Sequence, residues 1–290
     1  MSGMPEIIQR YLDDENVERV ERDFKYLVST KDRYFGELEL AFRKGRLSLY
    51  YRGNSLATVS FRPDRMYRVE THRRFLKFLD EATRAPFQES GEYRRVEVDA
   101  AGAHRLLQRD NIDKLMKGIR DVNHSEETTF EQILITDNPP APGFLLIDRQ
   151  VRDLHMRRQL DLLGLRRLDD GRYGFVVLEV KMGNNTELSG AVANQLKCYV
   201  DHIGTPEYGD AWARCYEKNY SQKRRLRWID DPMPLEIEID GTQVEGLVVV
   251  GGYSRQARAQ VKLLKATHPD LKVHVFGNGL LDERGMLVGA

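Results

Sequence analysis

Cysteine is scarce in this chain: Cys198 and Cys215 are the only two among 290 residues. Two thiols build no disulfide framework and close no four-cysteine zinc or iron–sulfur site. No apolar run approaches the ~20 residues needed to span a bilayer, and there is no internal repeat or low-complexity tract. The opening stretch, MSGMPEIIQRYLDDENVERVERDF, is charged and has no signal-peptide core. A cytoplasmic protein without a membrane partner is expected. Net charge is absent too, because 45 Lys plus Arg balance 45 Asp plus Glu. Only local patches can therefore select a polyanion. The seven histidines are scattered without metal-ligand spacing. Gly251-Gly252 and Gly277-x-Gly279 lack a complete phosphate-loop pattern and read as turns.

What is present is a change of period along the chain. Residues 5–28 place Ile7, Ile8, Tyr11, Leu12, Val17, Val20, Phe24 and Leu27 at helical spacing, with Val28 closing the run. Short alternating runs follow at 38–42, 47–51, 56–61 and 66–69. Lys44-Gly45, Arg52-Gly53-Asn54 and Pro63-Asp64 separate them with turn chemistry, so an antiparallel meander is expected. Residues 72–83 and 99–120 read as helical. Residues 1–120 thus form an α+β region of unknown role. From about residue 121 the pattern is clearer. It gives a helix over 125–136 capped by Ser125, then strands over 144–148, 158–168 and 173–181, then a helix over 188–203. A long basic and aromatic insert precedes a strand at 246–250, a helix from Ser254 to Thr267 and a strand at 271–276. That order predicts an α/β domain with a mixed sheet over 121–290.

One stretch in this second region poses a chemical question. Phe175–Lys181 reads FVVLEVK, an apolar strand ending in Glu179 and Lys181. The preceding loop, Asp169-Asp170-Gly171, fits a type I turn closed by a left-handed glycine. With that turn Leu168 faces Arg172, and the register carried back along both strands sets Asp161 opposite Glu179. Opposed side chains share a face, with β-carbons about 4.5–5.5 Å apart, and Lys181 lies on the same face. Two such carboxylates repel unless a cation lies between them. A hard divalent ion takes oxygen ligands and stabilises charge on a phosphodiester. Lys181 can orient a water or offset developing negative charge. Gln195 and Tyr199, four apart on the next helix, present an amide and a phenol to the same place. E-x-K alone is weak; strand placement, register and the downstream pair carry the signal together.

Asp161, Glu179-Val180-Lys181 and Gln195-x-x-x-Tyr199 together resemble the PD-(D/E)XK nuclease superfamily, in particular its RecB-like branch with a Q-x-x-x-Y helix. The resemblance covers roughly residues 123–280 and matches the helix–strand–strand–strand–helix–strand order. It implies a restriction-endonuclease-like mixed sheet flanked by helices, preceded here by the α+β region with its meander. It also implies Mg²⁺ or Mn²⁺ held by Asp161, Glu179 and the Val180 carbonyl, with Lys181 catalytic and Gln195 and Tyr199 near the substrate. The family often carries a glutamate on the first core helix; Glu131 is the first candidate, with Glu126 and Glu127 as rivals. Leu160 stands where the family often has proline. Asp148 reads as a strand terminus.

Basic residues form two further groups. Arg149, Arg152, Arg157 and Arg158 make one, continued by Arg166 and Arg167. KNYSQKRRLRW, with Lys218, Tyr220, Lys223, Arg224, Arg225, Arg227 and Trp228, makes the other. Interleaved cations and aromatics suit a nucleic-acid backbone. Arg157, Arg158, Lys223, Arg224 and Arg225 are the expected contacts. The expectation is a metal-dependent phosphodiesterase acting on nucleic acid, DNA in preference to RNA, in DNA processing or defence against foreign DNA. The alternative is a non-catalytic nucleic-acid-binding or protein-interaction module on the same fold. A homodimer is compatible with either.

Overall fold

The computed structural model describes residues 7–27, 37–122, 125–157, 159–253 and 255–277. Of the positions singled out above, Val28, Arg158, Ser254 and Gly279 lie outside these ranges. Two sheets organise the chain. The first is six-stranded: β1 (Leu38–Arg43), β2 (Arg46–Tyr51), β3 (Asn54–Phe61), β4 (Tyr67–His72), β5 (Gln88–Ser90) and β6 (Tyr93–Val98), in the spatial order β1-β2-β3-β4-β6-β5. All its pairings are antiparallel. Turn chemistry sets its corners. Lys44 and Gly45 both adopt positive φ, 49° and 68°, as do Arg52 and Gly53, 47° and 74°. Two positive-φ residues in a row match the right-handed twist of flanking strands. The meander expected from the sequence is therefore present, and β5 and β6 extend it by a pair that no clear alternation marks.

Helix α1 (Asp14–Asp23) packs on this sheet with α3 (Ala100–Leu106) and α4 (Arg109–Val122). The stretch expected to be helical over 72–83 is instead a 3₁₀ turn at Phe75–Phe78 followed by the one-turn helix α2 (Glu81–Arg84). Phe24, Leu49, Leu56, Val59, Tyr67 and Ile119 lie in the core beneath. Trp228, far along the chain, enters that core and stacks on Phe42 at 4.6 Å between ring centres.

The second sheet is mixed. Helix α5 (Glu126–Asp137) leads into β7 (Phe144–Val151), β8 (Leu160–Arg167) and β9 (Tyr173–Met182); helices α6 (Ala191–Ile203) and α7 (Pro206–Arg225) precede β10 (Ile239–Tyr253), α8 (Arg255–Thr267) and β11 (Lys272–Gly277). Spatial order is β11-β10-β9-β8-β7. β7, β8 and β9 are antiparallel, whereas β10 runs parallel to both β9 and β11. Ser125 caps α5 by accepting the Thr128 amide at 3.3 Å, as its sequence predicts. Leu134, Leu162, Val176, Leu178, Val180 and Val249 fill the α5 face of the sheet. The opposite face packs against α6, α7 and α8 through Val177, Leu196, Trp212, Val248 and Leu264. β9 is buried on both faces, as expected for a strand covered by helices on both sides. The basic and aromatic insert is mostly α7, a 20-residue helix. Among the described residues no helix is long and apolar enough to cross a membrane.

The two sheets meet at α5. The Gly53 amide donates to Gln132 Oε1 at 2.5 Å, and Gln132 Nε2 donates to the Glu37 carbonyl at 2.5 Å. A β-carbon at Gly53 would run into the Thr128 side chain and carbonyl, and its φ is positive. Only glycine fits a turn pressed this closely onto a helix.

Candidate active site

The hairpin register decides whether the acids meet. Gly171 has φ of 91°, and Leu168 and Arg172 close the turn by a 2.7 Å amide–carbonyl bond. Leu162 pairs with Leu178, Leu163 with Val177 and Arg167 with Tyr173, the register expected from the sequence. One step further Asp161 departs from the ladder. Its carboxylate accepts the Val180 amide at 2.8 Å. Lys181 Nζ lies 2.7 Å from Glu179 Oε1 and 3.9 Å from Asp161 Oδ2. The three side chains thus converge on one face, while Val180 points into the core on the other.

Helix α6 leans over that face. Gln195 Nε2 donates to Glu179 Oε1 at 2.6 Å and approaches the Tyr199 hydroxyl at 3.1 Å. The Tyr199 hydroxyl donates to the Gln159 carbonyl at 2.8 Å. The Q-x-x-x-Y spacing therefore does two jobs: Gln195 orients an acid, and Tyr199 ties the helix to the entry of β8. Glu187, which sequence reasoning missed, adds a third carboxylate 3.3 Å from Lys181. It sits on a 3₁₀ turn capped by Asn185, and no periodicity marks it.

Burial shapes the electrostatics. Desolvation first, then the charge of Glu179, pushes the Asp161 carboxyl up; Lys181 and the Val180 amide oppose this. Glu179 is raised by burial against the opposing pull of Lys181. Burial works to lower Lys181, but Glu179 and Asp161 outweigh it and raise its pKa. Its ammonium stays charged across the physiological range. Glu179 Oε2 is buried with no N–H donor, and the Asp161 carboxyl, while it keeps its proton, is the group that hydrogen-bonds Glu179. With that proton gone, a buried carboxylate oxygen left unpaired is costly, and it is the feature a cation would relieve. Among the described residues no group of three or more His, Cys, Asp or Glu side chains is placed to hold an ion. The oxygen donors that converge here are the Asp161 and Glu179 carboxylates, and two carboxylates suit a hard ion that keeps several waters.

Glu131 and its rivals occupy different places. Glu131 is buried and 3.0 Å from Arg149, and accepts from Gln150 Nε2 at 2.7 Å. Burial pushes it up to about 7, Arg149 opposes this, and Asp161 adds to the rise. Glu127 faces the site differently, 3.4 Å from the Asn185 amide, and its charge reaches Asp161, Glu179 and Lys181. Asp148 is no strand terminus. β7 continues to Val151, and Asp148 is the buried hub of a network with Arg43 at 2.5 Å, Arg10 at 3.7 Å and the Tyr216 hydroxyl at 3.0 Å.

The expected nucleic-acid contacts divide. Arg157 is exposed and lines a cleft with Gln159. Lys223, Arg224 and Arg225 direct donors to groups within the protein. Lys223 donates to the Ile147 carbonyl at 2.6 Å, Arg224 to the Ile229 carbonyl at 2.7 Å, and Arg225 pairs with Glu21 at 2.8 Å. Tyr220 and Trp228 are buried. No protein-family model, no curated protein and no solved structure matches the chain.

Proposed function

We propose that this chain is a divalent-metal-dependent nuclease, hydrolysing phosphodiester bonds of nucleic acid and of DNA in preference to RNA. The observation that carries the reading is the convergence of Asp161, Glu179 and Lys181 on one hairpin face, with Glu179 Oε2 facing no N–H donor. The order α5, β7, β8, β9, α6, β10, with α7 inserted between α6 and β10, supports reading the mixed sheet as a restriction-endonuclease-like core. Asp161, Glu179 and the Val180 carbonyl would hold Mg²⁺ or Mn²⁺. Such an ion supplies Lewis-acid stabilisation of charge on a phosphodiester.

The chain's own residues do the rest. Lys181 remains an ammonium, so its part is electrostatic rather than that of a general base. It offsets negative charge developing on the phosphodiester, in a site where burial magnifies that effect. Gln195 fixes the Glu179 carboxylate through Oε1, so Oε2 faces no N–H donor and would be open to an ion once Asp161 gives up its proton. Tyr199 holds α6 against the start of β8. A cytoplasmic role in DNA processing or defence against foreign DNA suits this chemistry.

The test is cleavage of plasmid and single-stranded substrates with Mg²⁺, Mn²⁺ or EDTA. The wild type should cut only with metal, and Asp161→Ala and Lys181→Ala should abolish cutting. Metal-independent cutting, or binding without cutting, would replace this reading with that of a non-catalytic nucleic-acid-binding module.

A further inference from the structure

A cleft of about 860 Å³ opens between the six-stranded sheet and the β7–β8 connection. The sheet side contributes Arg43, Lys44 and Arg46; the connection contributes Arg152 and Arg157; Arg10 lies between them. Among the described residues the one acid lining it is Asp153. Both its oxygens are occupied, by the His155 and Met156 amides at 2.8 Å, His202 Nε2 at 2.7 Å and Trp212 Nε1 at 3.1 Å. In a chain of zero net charge such one-sided placement needs a reason.

The six cations fall into two kinds. Arg10 and Arg43 are anchored on the buried carboxylate of Asp148, and buried Glu39 also acts on Arg43, so the charge open to a ligand is that of the other four. Lys44, Arg152 and Arg157 are exposed and make no side-chain ion pair among the described residues; Arg46 has only a long 3.9 Å approach to Glu70. Asp153 pins the backbone between Arg152 and Arg157 through the His155 and Met156 amides, which lowers the backbone ordering cost of association. Two residues of the cleft lining border the surroundings of the hairpin site. Gln159 is one, and its carbonyl receives the Tyr199 hydroxyl. Gln150 is the other and holds Glu131.

We propose that this cleft carries the phosphodiester backbone of the nucleic-acid substrate toward Asp161, with Lys44 and Arg46 of the six-stranded sheet forming one wall and Arg152 and Arg157 the other. The proposal rests on the nuclease reading for its choice of ligand, and it makes the N-terminal region one half of the substrate path. Cations on both sides of a cleft that at Gln159 comes within two residues in chain of Asp161 suit a polymer better than a separate small anion. Each phosphate contact releases counterions and so adds salt dependence.

Binding is measured by fluorescence anisotropy in EDTA, so that no cleavage is required. The probe is a fluorescein-labelled DNA strand of about 20 nucleotides, free or annealed to its complement, longer than the ~4–16-nucleotide footprint of typical single-strand sites. Lys44→Glu with Arg46→Glu, and separately Arg152→Glu with Arg157→Glu, should each weaken binding of the preferred form about tenfold or more. The slope of log affinity against log salt should fall by roughly 0.7 per lost contact on a single strand, or roughly 0.9 on duplex. Lys44→Arg with Arg46→Lys should bind as the wild type does. None of the four side chains is buried, and unchanged melting of each variant confirms its fold. Wild-type affinity and slope in both charge-reversal pairs overturn the proposal, even if the protein cuts DNA. Binding lost in both pairs, in a protein that cuts nothing with metal, sustains the cleft and removes the nuclease.

Discussion

The Asp161 carboxylate grips the Val180 amide at 2.8 Å, so the acid is fastened to the backbone between Glu179 and Lys181. This bond replaces the next rung of the β8–β9 ladder with a side chain. It orients one oxygen of Asp161 and holds the carboxyl beside Glu179, where repulsion would otherwise drive it away.

Asp161→Asn keeps an oxygen to accept the Val180 amide and can never ionise beside Glu179. Metal-dependent cleavage should fall about a hundredfold or more, as when a pre-organised electrostatic group is lost. In EDTA at neutral pH the variant should be more stable than the wild type, by on the order of 1 kcal/mol for each tenfold by which folding tightens the hold of Asp161 on its proton. Urea denaturation and a cleavage assay on the same preparation check both.

The raised Asp161 pKa also sets a pH dependence. The folded state holds this proton to higher pH than the unfolded chain does, so the stability contribution is complete below the ordinary aspartate value of 3.8 and declines as pH rises above it. Asp148 acts in the opposite sense. Burial resists its charge, but Arg43, Arg10 and Lys223 outweigh burial and lower its pKa, so its contribution is lost on acidification. The difference between wild type and Asp161→Asn isolates the first effect. That difference should grow in the variant's favour from about pH 4 toward neutrality in EDTA; a flat difference would contradict the buried acid pair.

Mg²⁺ or Mn²⁺ should raise the wild-type melting temperature, by the equivalent of about 2.7 kcal/mol at a hundredfold excess over the dissociation constant. Glu179→Gln should abolish the rise, and EDTA should reverse it in the wild type. Scanning calorimetry with and without metal reads this independently of any substrate.

Lys181→Ala leaves Glu179 buried with its nearest cation gone. Loss of one partner of a buried pair costs about 3–5 kcal/mol, so the variant should melt well below the wild type. Lys181→Arg keeps the charge but changes a compact ammonium to a planar fork. It should retain most of the stability and lose most of the turnover, a split seen by comparing melting with kcat.

Arg149→Met strands Glu131 in the same way, with a similar cost of about 3–5 kcal/mol. The pair is coupled, so adding Glu131→Gln should restore part of that loss. A double-mutant cycle by urea denaturation measures the coupling.

The hairpin site was legible in the sequence because its determinants are local. The Asp-Asp-Gly loop sets the register, the register sets the faces, and Gln195 and Tyr199 follow by helical spacing. Ser125 was legible for the same reason. What could not be read depends on partners far along the chain. Helix α7 buries Trp212, Tyr216, Asn219 and Gln222, and these polar or amphipathic side chains find partners in Asp153, Asp148, the Arg10 carbonyl and Leu12. Without those partners the helix looks like a basic surface. Glu131 and Asp148 likewise gained their surroundings only through Arg149 and Arg43, and neither pairing leaves a periodic trace.

Arg149 reaches in two directions at once, 3.0 Å from Glu131 of α5 and 3.8 Å from Glu39 of β1. Severing the six-stranded sheet would expose this guanidinium's second acid to water and leave the first to carry the whole balance alone. The half that carries the mixed sheet is therefore no autonomous unit with an optional attachment: the chain should melt as one cooperative body, and the cut fragment should fail to refold.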